Sequence, residues 1–547
     1  MSNSNKYIEK ILKNFECPSN VFAHIITKKH NEIISWGDLE IECKRTISTL
    51  NKSVDEKGVV LIFLRHQKEL FSTFLGCMLG GYTPSFMPCS SPRQDPTLYW
   101  QSHQKLINTI LPCAIITSSD VAKEMKDASL DLQNASLFEI EKFENDLGEF
   151  VIQNETNIAL LQHSSGTTGL KKGVALSFQA IHAHAISYGK SIKLNKNDKI
   201  VSWLPLYHDM GLMACFITPA FHSITTIQID AFDWVTKPEI LFDNIMAYNG
   251  TLTWLPNFAF EHMSNIVGKK AEMYDLSSMR AFINCSETCK AATFDKFLNS
   301  FKVSKVIPNQ LQCCYAMAEV VFGVTQTKIN NIPERIFVEK NSLNRNDSII
   351  LTEKIEGAAE LIETGEIIDG LKIEIVDENR NQLELGRIGE ITISGDFLFS
   401  GYNKDSVQTK ERLIEGHYYS RDLGFIHNNK IYVLGRVDDL IIINGRNIYA
   451  HQIEAIANSI EGVKPGRAVA VSYFEERVGS EVLVIIAEKL PSAIGNEVKI
   501  IKNIMMQVLS AVDVTPKAVK LVEPGWLVKT SSGKISRKEN LKKYLKK

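Results

Sequence analysis

Two polar stretches near opposite ends of the chain carry residue types suited to gripping phosphates. The first, Ser164-Ser165-Gly166-Thr167-Thr168-Gly169 with Lys172 and Gly173 just beyond, lies between two apolar runs. Glycines let backbone N–H groups close around phosphate oxygens, hydroxyls add donors, and Lys172 adds charge. The GxxxxGK[ST] spacing of a Walker loop is absent. The second, Lys529-Thr530-Ser531-Ser532-Gly533-Lys534-Ile535-Ser536-Arg537, offers Lys534 as a cation able to meet the first. Other candidates lie between them. Asp422 in Tyr418-Tyr419-Ser420-Arg421-Asp422 could accept two hydrogen bonds from a ribose diol. Glu319 in Tyr315-Ala316-Met317-Ala318-Glu319 could hold Mg²⁺ beside a triphosphate. His208-Asp209 suits acid–base work. Each also has a plain structural reading: a Ser/Gly turn, a turn-capping Asp, a helix-surface Glu, a hydrogen-bonded His–Asp pair. Arg436 could be a surface ion-pair partner.

The elements that position these residues change in texture along the chain. Before residue 330, apolar runs alternate with helical patterns. Val59 to Leu64 reads as a strand buried on both faces, followed by a helix over Lys68 to Leu79 that stops at Gly80-Gly81. Further strand candidates are Cys113–Ile116, Ile158–Leu161, Ile200–Leu204, Thr226–Ile229 and Ala281–Ile283. This alternation predicts an α/β fold with largely parallel sheets. After about residue 365 the strands become short and hairpin-like. Asn428-Asn429 and Asn444-Gly445 are turn signals. Ile453, Ile456, Ala457 and Ile460 mark one face of a helix ended by Gly462. A strand over Val482 to Ala487 and a helix over Val498 to Val512 complete a small α+β unit. The expected division is 1–436 and 437–547, at Gly435-Arg436-Val437-Asp438-Asp439.

A chain of 547 residues exceeds one hydrophobic core, and 44% hydrophobic with 23% charged residues is ordinary for globular proteins. A net charge of −2 gives no reason to expect nucleic acid or an anionic membrane as a bulk partner. The Lys-rich tail from Lys538 reads as a solvated helix end. Met210 to Phe221, the most apolar segment, falls short of the ~20 residues a membrane span needs. No signal-peptide pattern is apparent at Met1, so a cytoplasmic location is expected. The ten cysteines show no metal or redox spacing and read as reduced, mostly buried thiols.

The order of these stretches resembles the adenylate-forming superfamily, over roughly residues 20 to 540. Within it the chain is most similar to fatty acyl-AMP ligases, in Leu204-Pro205-Leu206-Tyr207-His208-Asp209-Met210-Gly211-Leu212, in Leu255-Pro256-Asn257-Phe258-Ala259-Phe260, and in Asp439 to Tyr449. Arg335 to Glu366 looks like the insertion that sets such ligases apart from CoA ligases. Ala316, Val528 and Ala450 depart from the pattern, where Gly, Pro and Pro are usual.

The resemblance implies a large N-terminal domain and a small mobile C-terminal one hinged at Asp438. It implies attack of a fatty carboxylate on the α-phosphate of ATP, release of pyrophosphate, and acyl transfer to the phosphopantetheine thiol of an acyl carrier protein. Lys534, Glu319 and His208 would be catalytic, with Glu319 also the Mg²⁺ ligand. Ser164 to Gly169, Lys172, Ser286, Glu287, Tyr315, Ala316, Met317, Asp422 and Arg436 would bind the nucleotide, with Tyr315 stacked on adenine. Met213, Asn257, Phe258 and Cys285 would line the acyl pocket. The rival readings are an acyl-CoA ligase, a luciferase-like oxygenase and a catalytically inert binding module.

Overall fold

The computed structural model describes residues 5–28, 31–90, 96–164, 172–355, 358–443, 446–475, 480–512, 514–529 and 535–546. Its largest sheet has nine strands, in the order Glu366–Ile367, Gly323–Gln326, Leu311–Ala316, Ala281–Asn284, Leu252–Leu255, Lys199–Ser202, Thr225–Ile229, Val21–Ile26, Asn31–Ser35. The six from Leu311–Ala316 to Val21–Ile26 run parallel, and the outer strands are antiparallel. A second, all-parallel sheet orders Thr83–Phe86, Val59–Phe63, Ala114–Thr117 and Ser136–Glu139. These strands read as continuous apolar runs because helices cover both faces of a parallel sheet. Val60, Leu61, Ile62 and Phe63 are all fully buried.

Ile158–Ser164 departs from the expected alternation. It pairs antiparallel with Lys172–Ser177, so the Gly-rich stretch lies between the two strands that its flanking apolar runs predicted, here the arms of a hairpin. Gly401–Tyr402 adds a third, antiparallel strand to Lys172–Ser177. Residues 165–171, and the expectations placed on Ser165, Gly166, Thr167, Thr168 and Gly169, lie outside the described residues. Lys534 does too.

Beyond residue 370, Leu371–Val376, Gly389–Gly395, His417–His427 and Lys430–Arg436 form an antiparallel sheet. The Asn428-Asn429 turn closes its last hairpin, and both residues adopt positive φ. The chain then passes through a 3₁₀ turn, Val437–Asp439, into the hairpin Leu440–Ile443 and Arg446–Tyr449. Helix Ala450–Ser459 follows, then strands Val463–Glu475, Ser480–Lys489 and Ala518–Val522, with helices Glu497–Val512 and Arg537–Leu545 against them. Apolar side chains from Ile441 to Val519 form a cluster of their own, and the main cluster runs from Tyr7 to Ile431.

Candidate active site

Four neighbouring parallel strands end at one edge of the large sheet, and each runs into a stretch containing expected site residues. Leu311–Ala316 leads to Met317 and Glu319. Ala281–Asn284 leads to Cys285, Ser286 and Glu287. Leu252–Leu255 leads to Asn257 and Phe258. Lys199–Ser202 leads to His208 and Met213. The carboxyl edge of a parallel sheet is where open α/β folds take their ligands.

Asp422 comes to this edge from the antiparallel sheet. Its Oδ2 accepts a 2.5 Å bond from the Tyr315 hydroxyl, and its Oδ1 accepts a 3.0 Å bond from Arg436 Nε. Asp422 and Arg436 are cross-strand partners, so the hairpin register sets that pair. The Asp422 backbone N–H is taken by Ser420 Oγ at 3.0 Å. Tyr315 and Asp422 are both buried. Burial first, then the charge of Asp422, push the Tyr315 hydroxyl far above the usual phenol range and keep it a donor. Each carboxylate oxygen retains acceptor capacity for a further donor.

Glu319 sits in a tight loop. The Met317 N–H donates to the Phe322 carbonyl at 2.8 Å, closing it, and Phe322 N–H donates back to Val320 O at 2.8 Å. Val321, between them, has φ +67° and ψ −58°, a γ-turn of the rare, strained hand. Such a conformation costs on the order of 1–3 kcal/mol for a non-glycine residue and clusters at functional sites. Ser286 (φ +69°) and Arg421 (φ +61°), beside Glu287 and Asp422, are also left-handed. Tyr402 donates its hydroxyl to Glu319 Oε1 at 2.8 Å, and the Glu319 carbonyl accepts from Phe399 N–H at 2.8 Å. The next residue, Asn403, donates its N–H to Gly173 O at 2.7 Å. The strand that steadies Glu319 is therefore stitched to the hairpin whose mouth is the Ser164–Lys172 pair.

The remaining expected residues divide. Ser286 Oγ lies 3.7 Å from Met210 Sδ, joining the loop after Ala281–Asn284 to the π-helix Met210–Ile217. Gly211 is dictated there, since a Cβ would come within 2.3 Å of the Pro205 carbonyl oxygen. His208 precedes this helix, with its ring 5.2 Å from that of Tyr207 and its carbonyl accepting from Leu212 N–H. Met213 and Cys285 are fully buried in the main core. Asn257 bonds Asn284 and Thr293. Glu287, expected at the nucleotide, accepts from the Phe258 N–H at 2.9 Å and so caps helix Asn257–Ile266. Ala316 ends its strand half-buried beside Tyr315. The Phe258 ring, 45% exposed, stands edge-on to the stacked Trp203 and Trp234, whose centroids are 3.7 Å apart. Tyr402, Ser420 and the tryptophan pair carry no signal in their own neighbourhoods. Tyr402 lies 83 residues from the glutamate it holds.

Glu319 Oε2 takes no hydrogen bond among the described residues, and those residues hold no cluster of three side chains fit to cage a metal. One free carboxylate oxygen suits Mg²⁺, which binds through one or two carboxylates and completes its shell with phosphate and water. Glu319 and the nucleotide phosphates would hold such an ion.

The sequence pattern of the AMP-binding enzymes matches residues 17–403. The chain is 29% identical over 572 residues to the probable long-chain-fatty-acid–AMP ligase FadD30 of Mycobacterium tuberculosis, covering 96% of this chain and 94% of that one. It is 25% identical to the medium-chain-fatty-acid–[acyl-carrier-protein] ligase JamA of Moorena producens, covering 95% and 91%. A structure from studies of fatty acyl-adenylate ligases of E. coli and L. pneumophila matches with a TM-score of 0.89 at 24% identity, covering 98% of this chain and 97% of that one.

Proposed function

Because the chain belongs to the AMP-binding enzyme family, we propose that it is a fatty acyl-AMP ligase that passes its acyl group to a carrier protein. The observation that carries this reading is the Tyr315–Asp422–Arg436 cluster with Glu319 beside it, at the carboxyl edge of the sheet.

In the first step a carboxylate oxygen of the fatty acid attacks the α-phosphorus of ATP. The bond from that phosphorus to the bridging oxygen breaks, pyrophosphate leaves, and acyl-adenylate remains. Negative charge builds on the phosphate oxygens, so the protein's task is positioning and electrostatic stabilisation. Asp422 accepts the ribose hydroxyls, and Arg436 keeps that carboxylate aimed. Tyr315, fixed by its own hydroxyl, stacks on adenine. Ser164 to Gly169 and Lys172 enclose the phosphates, and Met317, Ser286 and Glu287 frame the nucleotide. Lys534 bridges the carboxylate and the α-phosphate. Mg²⁺, when bound, neutralises charge on the departing phosphates. Met213, Asn257, Phe258, Cys285 and His208 border the acyl chain.

In the second step a thiol sulfur attacks the acyl carbonyl, the bond to AMP breaks, AMP leaves, and the thiol proton is lost. Residues 437–547 form the mobile unit and Asp438 its hinge. The segment Arg335 to Glu366 supports a carrier thiol over free CoA. Its hairpin, Arg335–Glu339 with Ala358–Ile362, packs Ile336 and Val338 in one cluster with Leu423, Phe425, Tyr432 and Leu434. Tyr449, from beyond the hinge, joins the same cluster. Arg335 pins the hairpin to Asp295 with two bonds of 2.9 and 2.7 Å. Through Tyr449 the hairpin touches the unit beyond the hinge, where the thiol acceptor must approach. Ten unpaired cysteines fit a reducing, cytoplasmic setting. Among the described residues no helix is long and apolar enough to cross a membrane.

The test offers the enzyme ATP, a fatty acid and either CoA or a phosphopantetheinylated carrier protein. Acyl-carrier with little acyl-CoA supports the reading. Efficient acyl-CoA release would replace it with the acyl-CoA ligase.

A further inference from the structure

Two motif residues have no role in this chemistry: Asp439, the last residue of Gly-Arg-x-Asp-Asp, and Arg537, three residues after Lys534. The structure joins them. Arg537 Nη1 donates to Asp439 Oδ2 at 2.7 Å. Its Nε and Nη2 donate to Glu454 Oε1 and Oε2 at 2.9 and 2.7 Å. Glu454 lies in helix Ala450–Ser459, and its Oε1 also accepts the Ala470 N–H at 3.1 Å. The three side chains are only 28%, 20% and 16% exposed for Arg537, Asp439 and Glu454. A half-buried fork spanning two carboxylates is a directional joint that a lysine cannot reproduce.

The chain on either side of residues 530–534 is pinned as well. Lys529 and Ile535 form an antiparallel bridge. The Ser536 N–H donates to Val528 O at 3.0 Å. Asn540, fully buried, accepts from Val528 N–H at 2.9 Å and donates to the carbonyls of Val528 and Ser536 at 2.9 and 2.7 Å. The base of the lysine-bearing segment is thus one closed unit, and Arg537 is its strut to the turn that contains Asp438.

We infer that Arg537, through Asp439 and Glu454, is a positioning residue that couples the Lys534 segment to the hinge, so that domain closure delivers the lysine in register. The inference rests on the reading of Lys534 as the adenylation lysine. A displaced lysine slows only the step that uses it. Loss of fold slows both steps.

The experiment measures, on the full chain, fatty-acid-dependent pyrophosphate release and acyl transfer from pre-formed acyl-adenylate to a phosphopantetheinylated carrier protein. Arg537→Ala and Asp439→Asn should lower the adenylation kcat about 10–100-fold, the scale of a misplaced catalytic group, with KM for ATP within about threefold. Transfer to the carrier protein should stay within about threefold of wild type. Arg537→Lys should remain as slow as Asp439→Asn. The double variant should be no slower than Arg537→Ala alone, because both remove one joint. Where Arg537→Ala does not fold, the near-isosteric Asp439→Asn decides. Equal loss in both steps, unaffected adenylation, or additive losses in the double variant overturn the inference while the functional reading stands. A wild-type enzyme that releases no pyrophosphate overturns both.

Discussion

Lys534 and Tyr315 make the account testable one side chain at a time. Lys534→Ala should lower adenylation by about 10²–10³, the scale for removing one transition-state donor. Acyl transfer from pre-formed adenylate should be nearly intact. Equal loss in both assays contradicts the role. Tyr315→Phe removes the 2.5 Å bond to Asp422 and leaves the ring in place. The expected result is an ATP KM raised about tenfold, the scale of one charge-assisted hydrogen bond, with kcat within about threefold. A drop confined to kcat would show that the hydroxyl acts on the reacting atoms. Tyr315 and Asp422 were legible in sequence as residue types, an aromatic ring and a carboxylate. Their partners were not. Tyr315 and Asp422 are 107 residues apart, and only the fold brings them together.

At the scale of elements, the loop that presents Glu319 depends on helix Phe178–Ser191. His184 on that helix accepts the Gly323 N–H through Nε2 at 3.1 Å, just after the strained turn at Val321. The ring stacks on Tyr188 and meets Phe322 and Phe397 edge-on. Burial lowers its pKa from 6.5 to about 3, so it folds neutral. Between those values the unfolded chain binds a proton that the folded chain refuses. The stability His184 contributes is therefore complete above pH 6.5 and is lost as pH falls toward 3. His184→Phe should cost about 1–3 kcal/mol at neutral pH by orphaning the Gly323 N–H. It should also flatten the fall in stability on acidification by up to about 1.4 kcal/mol per pH unit. Urea midpoints of both proteins at about pH 7.5 and about pH 5 check this, and parallel pH profiles contradict it. Strand runs such as Val59–Phe63 and the turn at Asn428-Asn429 were readable because burial on both faces and positive φ each select residue types. The π-helix at Met210–Ile217 was not, because an apolar run of that length fits several structures. The antiparallel pairing at Ser164–Lys172 was also hidden, since strand direction depends on where the chain returns.

At the scale of the molecule, the proposed hinge lies in the Val437–Asp439 turn. Asp438→Pro fixes φ there. It should spare adenylation more than thioester formation, as read by pyrophosphate release against carrier acylation. The opposite order contradicts the hinge. The change from α/β texture to short hairpins after about residue 365 was readable in the sequence. What holds the two sides together was not, because Ile336, Phe425 and Tyr449 share a cluster that no local pattern announces.

Adenylate formation is read directly by mass spectrometry of the products formed from ATP, Mg²⁺ and a mixed panel of fatty acids, with no thiol present. An acyl-adenylate should form from at least one acid, in step with pyrophosphate. Intact ATP with every acid, or ATP cleaved to ADP without an acyl-adenylate, would contradict it.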